Sequence, residues 1–156
     1  MRPVQLEPGK FYRVGINSKS HKNFKSAAGI PVAPSVIAFT TKGADAALVA
    51  SLQPPKVVQT DPPNGSTNVS PSVQQITVTF DKPMGGGFSW TGGGDSYPET
   101  TGPPQWNEDK TVCTIPVKLK PKWTYRLGLN SKHAVNFQSA YGIPLEPVAY
   151  TITTGE

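Results

Sequence analysis

Residues 117–156 read VKLKPKWTYRLGLNSKHAVNFQSAYGIPLEPVAYTITTGE, and residues 4–43 read VQLEPGKFYRVGINSKSHKNFKSAAGIPVAPSVIAFTTKG. The two stretches align without a gap at a constant offset of 113 and are identical at 19 of 40 positions. A repeat of this kind means one structural element used twice, and it constrains the fold before any single residue does. In the later copy Tyr125, Leu127 and Leu129 alternate with Arg126 and Gly128, and in the earlier one Tyr12, Val14 and Ile16 alternate with Arg13 and Gly15. A period of two with one apolar side is the pattern of a half-buried strand. The glycine and prolines of residues 142–147 (GIPLEP) and 29–34 (GIPVAP) suit a loop rather than a helix. A closing strand follows, with Val148, Tyr150 and Ile152 on one side in the later copy and Ile37 and Phe39 in the earlier. Each copy is therefore expected to be two strands with a long connection.

Leu119, Pro121 and Tyr125, matched by Leu6, Pro8 and Tyr12, carry the sharpest fold signal. In immunoglobulin-like sandwiches a tyrosine near the start of the sixth strand turns its hydroxyl back to the backbone of the preceding corner. Leu-x-Pro-x-x-x-Tyr is how such a corner reads in sequence. Its hydroxyl is expected to bond backbone between residues 118 and 121.

Outward from the repeat, residues 44–55 (ADAALVASLQPP) are alanine-rich and proline-terminated, which suits a linker with one or two helical turns. From Lys56 a short strand around Val57 and Val58, a turn at 62–65 and a strand with Ile76, Val78 and Phe80 on one face follow. Residues 56–155 resemble the S-layer-type bacterial Ig-like domain. They carry its opening P-x-V-x-x-x-x-P-x-x-G-x-x-x-V run, its I-x-V-x-F-x-x-P-M strand, its L-x-P-x-x-x-Y corner, its G-x-P loop and a final T-T. Residues 4–42 match the closing part alone. The resemblance implies an all-β, immunoglobulin-like antiparallel sandwich of about seven strands at 56–156, preceded by a partial unit of two strands at 1–43 and a linker at 44–55. It also implies a non-catalytic spacer, adhesive or accessory module of a bacterial surface or secreted protein, at the cell envelope or outside the cell, with Ig-like neighbours in a longer protein. The expected core is Ile76, Val78, Phe80, Trp90, Cys113, Ile115, Val117, Tyr125, Leu127, Leu129, Tyr150 and Ile152, each on the apolar side of an alternating run.

The middle of the chain, residues 85–110, is rich in glycine, proline and aromatics. Phe88 and Trp90 are expected on one face of a short third strand, where a core tryptophan is frequent in such sandwiches. Tyr97 and Trp106 lie in a proline-rich loop, where aromatic rings either pin the loop to the core or stack on a sugar or peptide. Trp106, Tyr97 and Trp90 are thus the candidate ligand-binding residues, with a polysaccharide as the ligand class, and pinning is the favoured reading.

Seven Lys or Arg against two Asp or Glu in residues 1–55 account for the whole formal charge of +5, since residues 56–156 hold eight of each. Lys19, Lys22 and Lys25 surround His21 in one basic loop, but no nucleic-acid motif accompanies them, and a solvated loop is expected. The one cysteine, Cys113, excludes an internal disulfide and alternates with Ile115, Val117 and Leu119 as a buried thiol would. His21 and His133 stand in no metal-ligand spacing, and the carboxylates are scattered through turns, so no catalytic group, metal or cofactor is expected. No apolar run reaches the ~20 residues that span a bilayer, and residues 1–9 lack the apolar region of a signal peptide. A two-stranded hairpin alone is marginal in water. Residues 1–43 are accordingly expected to hold a homodimer, with self-pairing of hairpins ahead of strand swapping.

Overall fold

The computed structural model describes residues 3–156; residues 1 and 2 of the expected 1–43 segment lie outside the described residues. The chain divides into two compact units, one up to Gln53 and one from Pro54 to Glu156. The first is a hairpin of β1 (Phe11–Ile16) and β2 (Ser35–Thr40), antiparallel, with Tyr12 opposite Phe39 and Val14 opposite Ile37. A six-residue helix, α1 (Ala46–Ser51), follows. Asp45 caps it, its carboxylate accepting from the Ala47 N–H at 2.6 Å, which satisfies one of the donors that every helix start leaves open. None of the described residues of this unit is buried.

The second unit is a sandwich. Its strands in chain order are β3 (Val57–Asp61), β4 (Gln75–Phe80), β5 (Trp90–Thr91), β6 (Glu99–Thr100), β7 (Gln105–Trp106), β8 (Val112–Lys118), β9 (Thr124–Leu129) and β10 (Val148–Thr153). One sheet runs β3-β4-β8, with β6 and β7 both on the far side of β8; the other runs β10-β9-β5. Every pair is antiparallel. Because β6 and β7 face successive parts of β8, they are one strand broken by residues 101–104, whose Pro103 and Pro104 supply no backbone donor. Written A to G, the sheets are then A-B-E-D and C-F-G, the seven-strand immunoglobulin arrangement.

Alternation decides which side chains meet between the sheets. Along β4 and β8 every second residue is buried, giving Ile76, Val78 and Phe80 from one strand and Cys113, Ile115 and Val117 from the other. Their partners across the core are Tyr125, Leu127, Leu129, Tyr150 and Ile152. Trp90, the remaining residue of the expected core, is half-buried and packs against clusters at both ends of the sandwich. Met84, Leu119, Phe137 and Leu145 complete the buried hydrophobic core.

Phe88 departs from the expected pairing with Trp90. The third strand is only Trp90–Thr91, Phe88 is exposed and Ser89 is the buried neighbour. The chain here runs close under residues 136–139: a Cβ at Gly87 would stand 3.0 Å from the Asn136 carbonyl oxygen. The Ser89 hydroxyl accepts the Asn136 N–H at 3.1 Å, which turns serine inward and phenylalanine out.

The free edge of β10 is closed by the loop between β3 and β4. The Asn64 amide donates to the Ala149 carbonyl and accepts from the Thr151 N–H, each at 2.9 Å. Gly65 N–H donates to the Thr151 carbonyl at 2.7 Å, Thr153 N–H to Ser66 at 2.9 Å, Val69 N–H to Thr153 at 3.0 Å and Gly155 N–H to Val69 at 2.9 Å. Successive outward groups of the strand are thereby paired.

Candidate functional site

The polar fittings of the repeated hairpin recur at the same offset as its sequence. Tyr125 Oη accepts the Lys120 N–H at 2.7 Å, and Tyr12 Oη accepts the Glu7 N–H at 2.8 Å. Thr154 Oγ1 donates to the Lys120 carbonyl at 2.6 Å and accepts the Trp123 N–H at 2.9 Å; Thr41 Oγ1 does the same to Glu7 and Lys10 at 2.6 and 2.9 Å. Tyrosine and threonine together pin the corner before the strand to the end of its partner strand. Removing the phenolic oxygen with the ring kept leaves the Lys120 N–H short of an acceptor, so Tyr125→Phe is expected to lower stability by about 1–2 kcal/mol. A denaturant midpoint equal to the parent's would show that the corner bond is worth nothing.

A second fitting was not foreseen from the sequence. Asn130, at φ +62°, is buried at the end of β9; its amide donates to the carbonyls of Phe137 (2.9 Å) and Leu145 (2.8 Å), and its oxygen accepts the Phe137 N–H at 3.0 Å. Asn17, at φ +57°, holds Phe24 and Val32 in the same way at 2.9, 2.7 and 2.9 Å. Asparagine enters the left-handed region more readily than most residues, and its side-chain amide supplies both donor and acceptor. One residue therefore turns the chain and ties down a loop of fifteen residues. In the second unit that loop drives Phe137 between Phe80, Trp90 and Trp106, with ring centroids 5.4, 5.7 and 5.9 Å away. The signal available in sequence was the identity of Asn17 with Asn130 and Phe24 with Phe137 across the repeat.

The three candidate ligand aromatics separate. Trp106 is half-buried, donates its indole N–H to the Gly86 carbonyl at 2.9 Å and stacks in a tilted contact 5.7 Å from Phe80. Trp90 and Tyr97 line one open cleft of about 410 Å³, together with Phe88, Thr100, Pro104 and Ile115. Burial raises the Tyr97 hydroxyl pKa above its ordinary value. Lys19, Lys22 and Lys25 are exposed, in the first unit. No group of three His, Cys, Asp or Glu gathers among the described residues, and no described helix is long and apolar enough to cross a membrane.

Cys113 sits in the core beside Trp90, whose buried indole N–H has no oxygen or nitrogen acceptor and favours the thiolate slightly. Burial outweighs this and pushes the thiol up to about 11. A raised thiol pKa contributes stability that is whole below the unfolded value near 9 and is lost as pH climbs toward 11. Between pH 9 and 10 the loss attributable to Cys113 is expected to be about 1 kcal/mol. Cys113→Val should flatten that part of the stability profile, and the parent thiol should stay unreactive toward a disulfide reagent at pH 8 until the unit unfolds.

Residues 52–154, two thirds of the chain, match the sequence profile of the bacterial Ig-like domain. The chain belongs to that family. No curated protein sequence matches it. Among solved structures, the bacterial Ig-like domain is similar to the crystal structure of the S-layer protein rSbsC(31-844), at 21% identity and TM-score 0.43. It is also similar to that of the N-terminal part of the bacterial S-layer protein SbsC, at 21% identity and TM-score 0.44. Each alignment covers 70% of this chain, which spans 15% of the first protein and 25% of the second.

Proposed function

We propose that the chain is a non-catalytic structural piece of a bacterial surface or secreted protein, in which the Ig-like domain at 54–156 acts as a spacer and platform for protein contacts in a tandem array. The observation that carries this reading is where the chain enters and leaves the domain. Val57 packs in the cluster with Phe80, Leu129 and Phe137, at one end of the sandwich. Ile152 packs in the other cluster with Ile76, Val117 and Tyr125, and Thr154 is bonded at the corner of Lys120. Arrival at one end and departure from the other lets successive domains extend a chain rather than fold it back. The hairpin of residues 4–43 ahead of the domain, built to the same plan as 117–156, is what a preceding member of such an array would present.

Spin labels at Lys56→Cys and Glu156→Cys test the spacer. The expected result is one narrow distance on the order of 25–35 Å, from seven-residue strands at about 3.4 Å per residue plus the corners, with buried Cys113 left unlabelled. A broad or short distribution would remove the reading. Carbohydrate binding is favoured by one observation, the cleft shared by Trp90 and Tyr97. Retention of the parent on an insoluble polysaccharide, abolished by Tyr97→Ala, would establish it; Trp106→Ala cannot serve, because that ring packs on Phe80 and Phe137.

A further inference from the structure

The first hairpin carries the inward-facing side chains of strands F and G and of the loop between them, with no sandwich in its own unit. Phe24 is 64% exposed where Phe137 is 0%, Val32 51% where Leu145 is 3%, and Val14 49% where Leu127 is 5%. Apolar side chains held in a defined arrangement by Asn17, Tyr12 and Thr41 mark a surface shaped for a partner, since a solvated loop has no use for such fittings. The second unit shows what covers the equivalent surface: strands A to E, residues 54–116. In that unit the same strands also supply the loop of residues 64–69 that pairs the edge of β10, and the edge of β2 stands at the equivalent place.

Among the described residues there is one A-to-E body, at 54–116, and residues 117–156 already close it. Charge decides between a body and another hairpin. Residues 56–116 contain three Lys and six Asp or Glu, whereas residues 4–43 contain six Lys or Arg and one Glu, and residues 117–156 five and two. A body of net charge −3 attracts hairpins of +5 and +3, while two hairpins of +5 placed face to face repel.

We infer that residues 4–43 are the docking surface for the five-strand A-to-E body of another bacterial Ig-like unit, joined ahead of them in the order that 54–116 precede 117–156, and that together they close a second sandwich. The inference rests on the tandem-array reading.

The test places a copy of residues 54–116 ahead of Val4 in the otherwise full chain, making a Pro116–Val4 junction in place of the natural Pro116–Val117. Hydrogen exchange then reads the Phe24 and Val32 amides. They are expected to exchange at least ~100-fold more slowly than in the parent, approaching Phe137 and Leu145, in a chain that light scattering reports as monomeric. In a second variant residues 4–43 replace residues 117–156 of the full chain, and cooperative unfolding of the remaining unit is expected to persist. Unchanged exchange at Phe24 in the first variant, or loss of cooperative unfolding in the second, would overturn the inference. So would a parent that is a stable dimer with residues 4–43 already protected, which would make the face a homodimer interface. Failure here leaves the spin-label and polysaccharide results standing, and failure there leaves these exchange rates unaltered, so the two readings fall separately.

Discussion

Asn130→Ala is expected to destabilise the Pro54–Glu156 unit by about 4 kcal/mol, a large part of the roughly 5–15 kcal/mol that holds a domain of this size together. The Phe137 N–H and the Leu145 carbonyl would lose the partner they have in Asn130 inside a buried corner. A buried group left unpaired costs on the order of 1–3 kcal/mol. Alanine at φ +62° adds roughly 1–2 kcal/mol of backbone strain. The two contributions can be separated, because Asn130→Gly removes the bonds and keeps the turn; it should recover about 1 kcal/mol of the loss. Trp90, Trp106 and Trp123 all lie in this unit, so intrinsic fluorescence during chemical denaturation follows it alone. A loss below about 1 kcal/mol for Asn130→Ala would mean that the loop of residues 131–147 is held by something other than this amide.

Phe137→Ala is expected to cost about 3–5 kcal/mol, the range for deleting a buried phenylalanine, whereas Phe24→Ala at the equivalent place should move the main unfolding transition by no more than ~0.5 kcal/mol. The two residues are identical in type, in position within the repeat and in the asparagine that holds their backbone. They differ in cover: three rings stand within 6 Å of Phe137, and Phe24 is mostly exposed. The cost of truncation comes from lost burial and the cavity left behind, so the contrast measures cover directly. Equal losses from the two substitutions, read as denaturant midpoints with unchanged slopes, would show that Phe24 is covered in solution.

The sandwich was readable because four of its strands, β4, β8, β9 and β10, alternate cleanly and the corner before β9 has a fixed spacing. Where the reading fell short, the deciding interaction lay far away in the chain. Nothing near Phe88 says that Ser89 will meet the backbone of Asn136, and nothing in the local pattern of residues 131–147 says that Phe137 will fold back over the end of the core. The division of β6 from β7 follows from Pro103 and Pro104, which are visible in sequence, but their register against β8 is a tertiary fact. Of the candidate aromatics, proximity in sequence grouped Tyr97 with Trp106; the fold instead groups Tyr97 with Trp90, because the chain between Pro98 and Pro104 runs along the outside of β8.

The loop that fastens Asn64, Gly65, Ser66 and Val69 along β10 bears on how such domains behave when crowded. An open strand edge is a template for another chain, and identical domains held at high local concentration are the condition under which fibres nucleate. Here the backbone groups that would recruit a stranger are already engaged. The interrupted β6 and β7 blunt the far side of the other sheet with prolines, which cannot extend a ladder. In the Pro54–Glu156 unit, two sheet edges are in this way closed to strand addition by a neighbour.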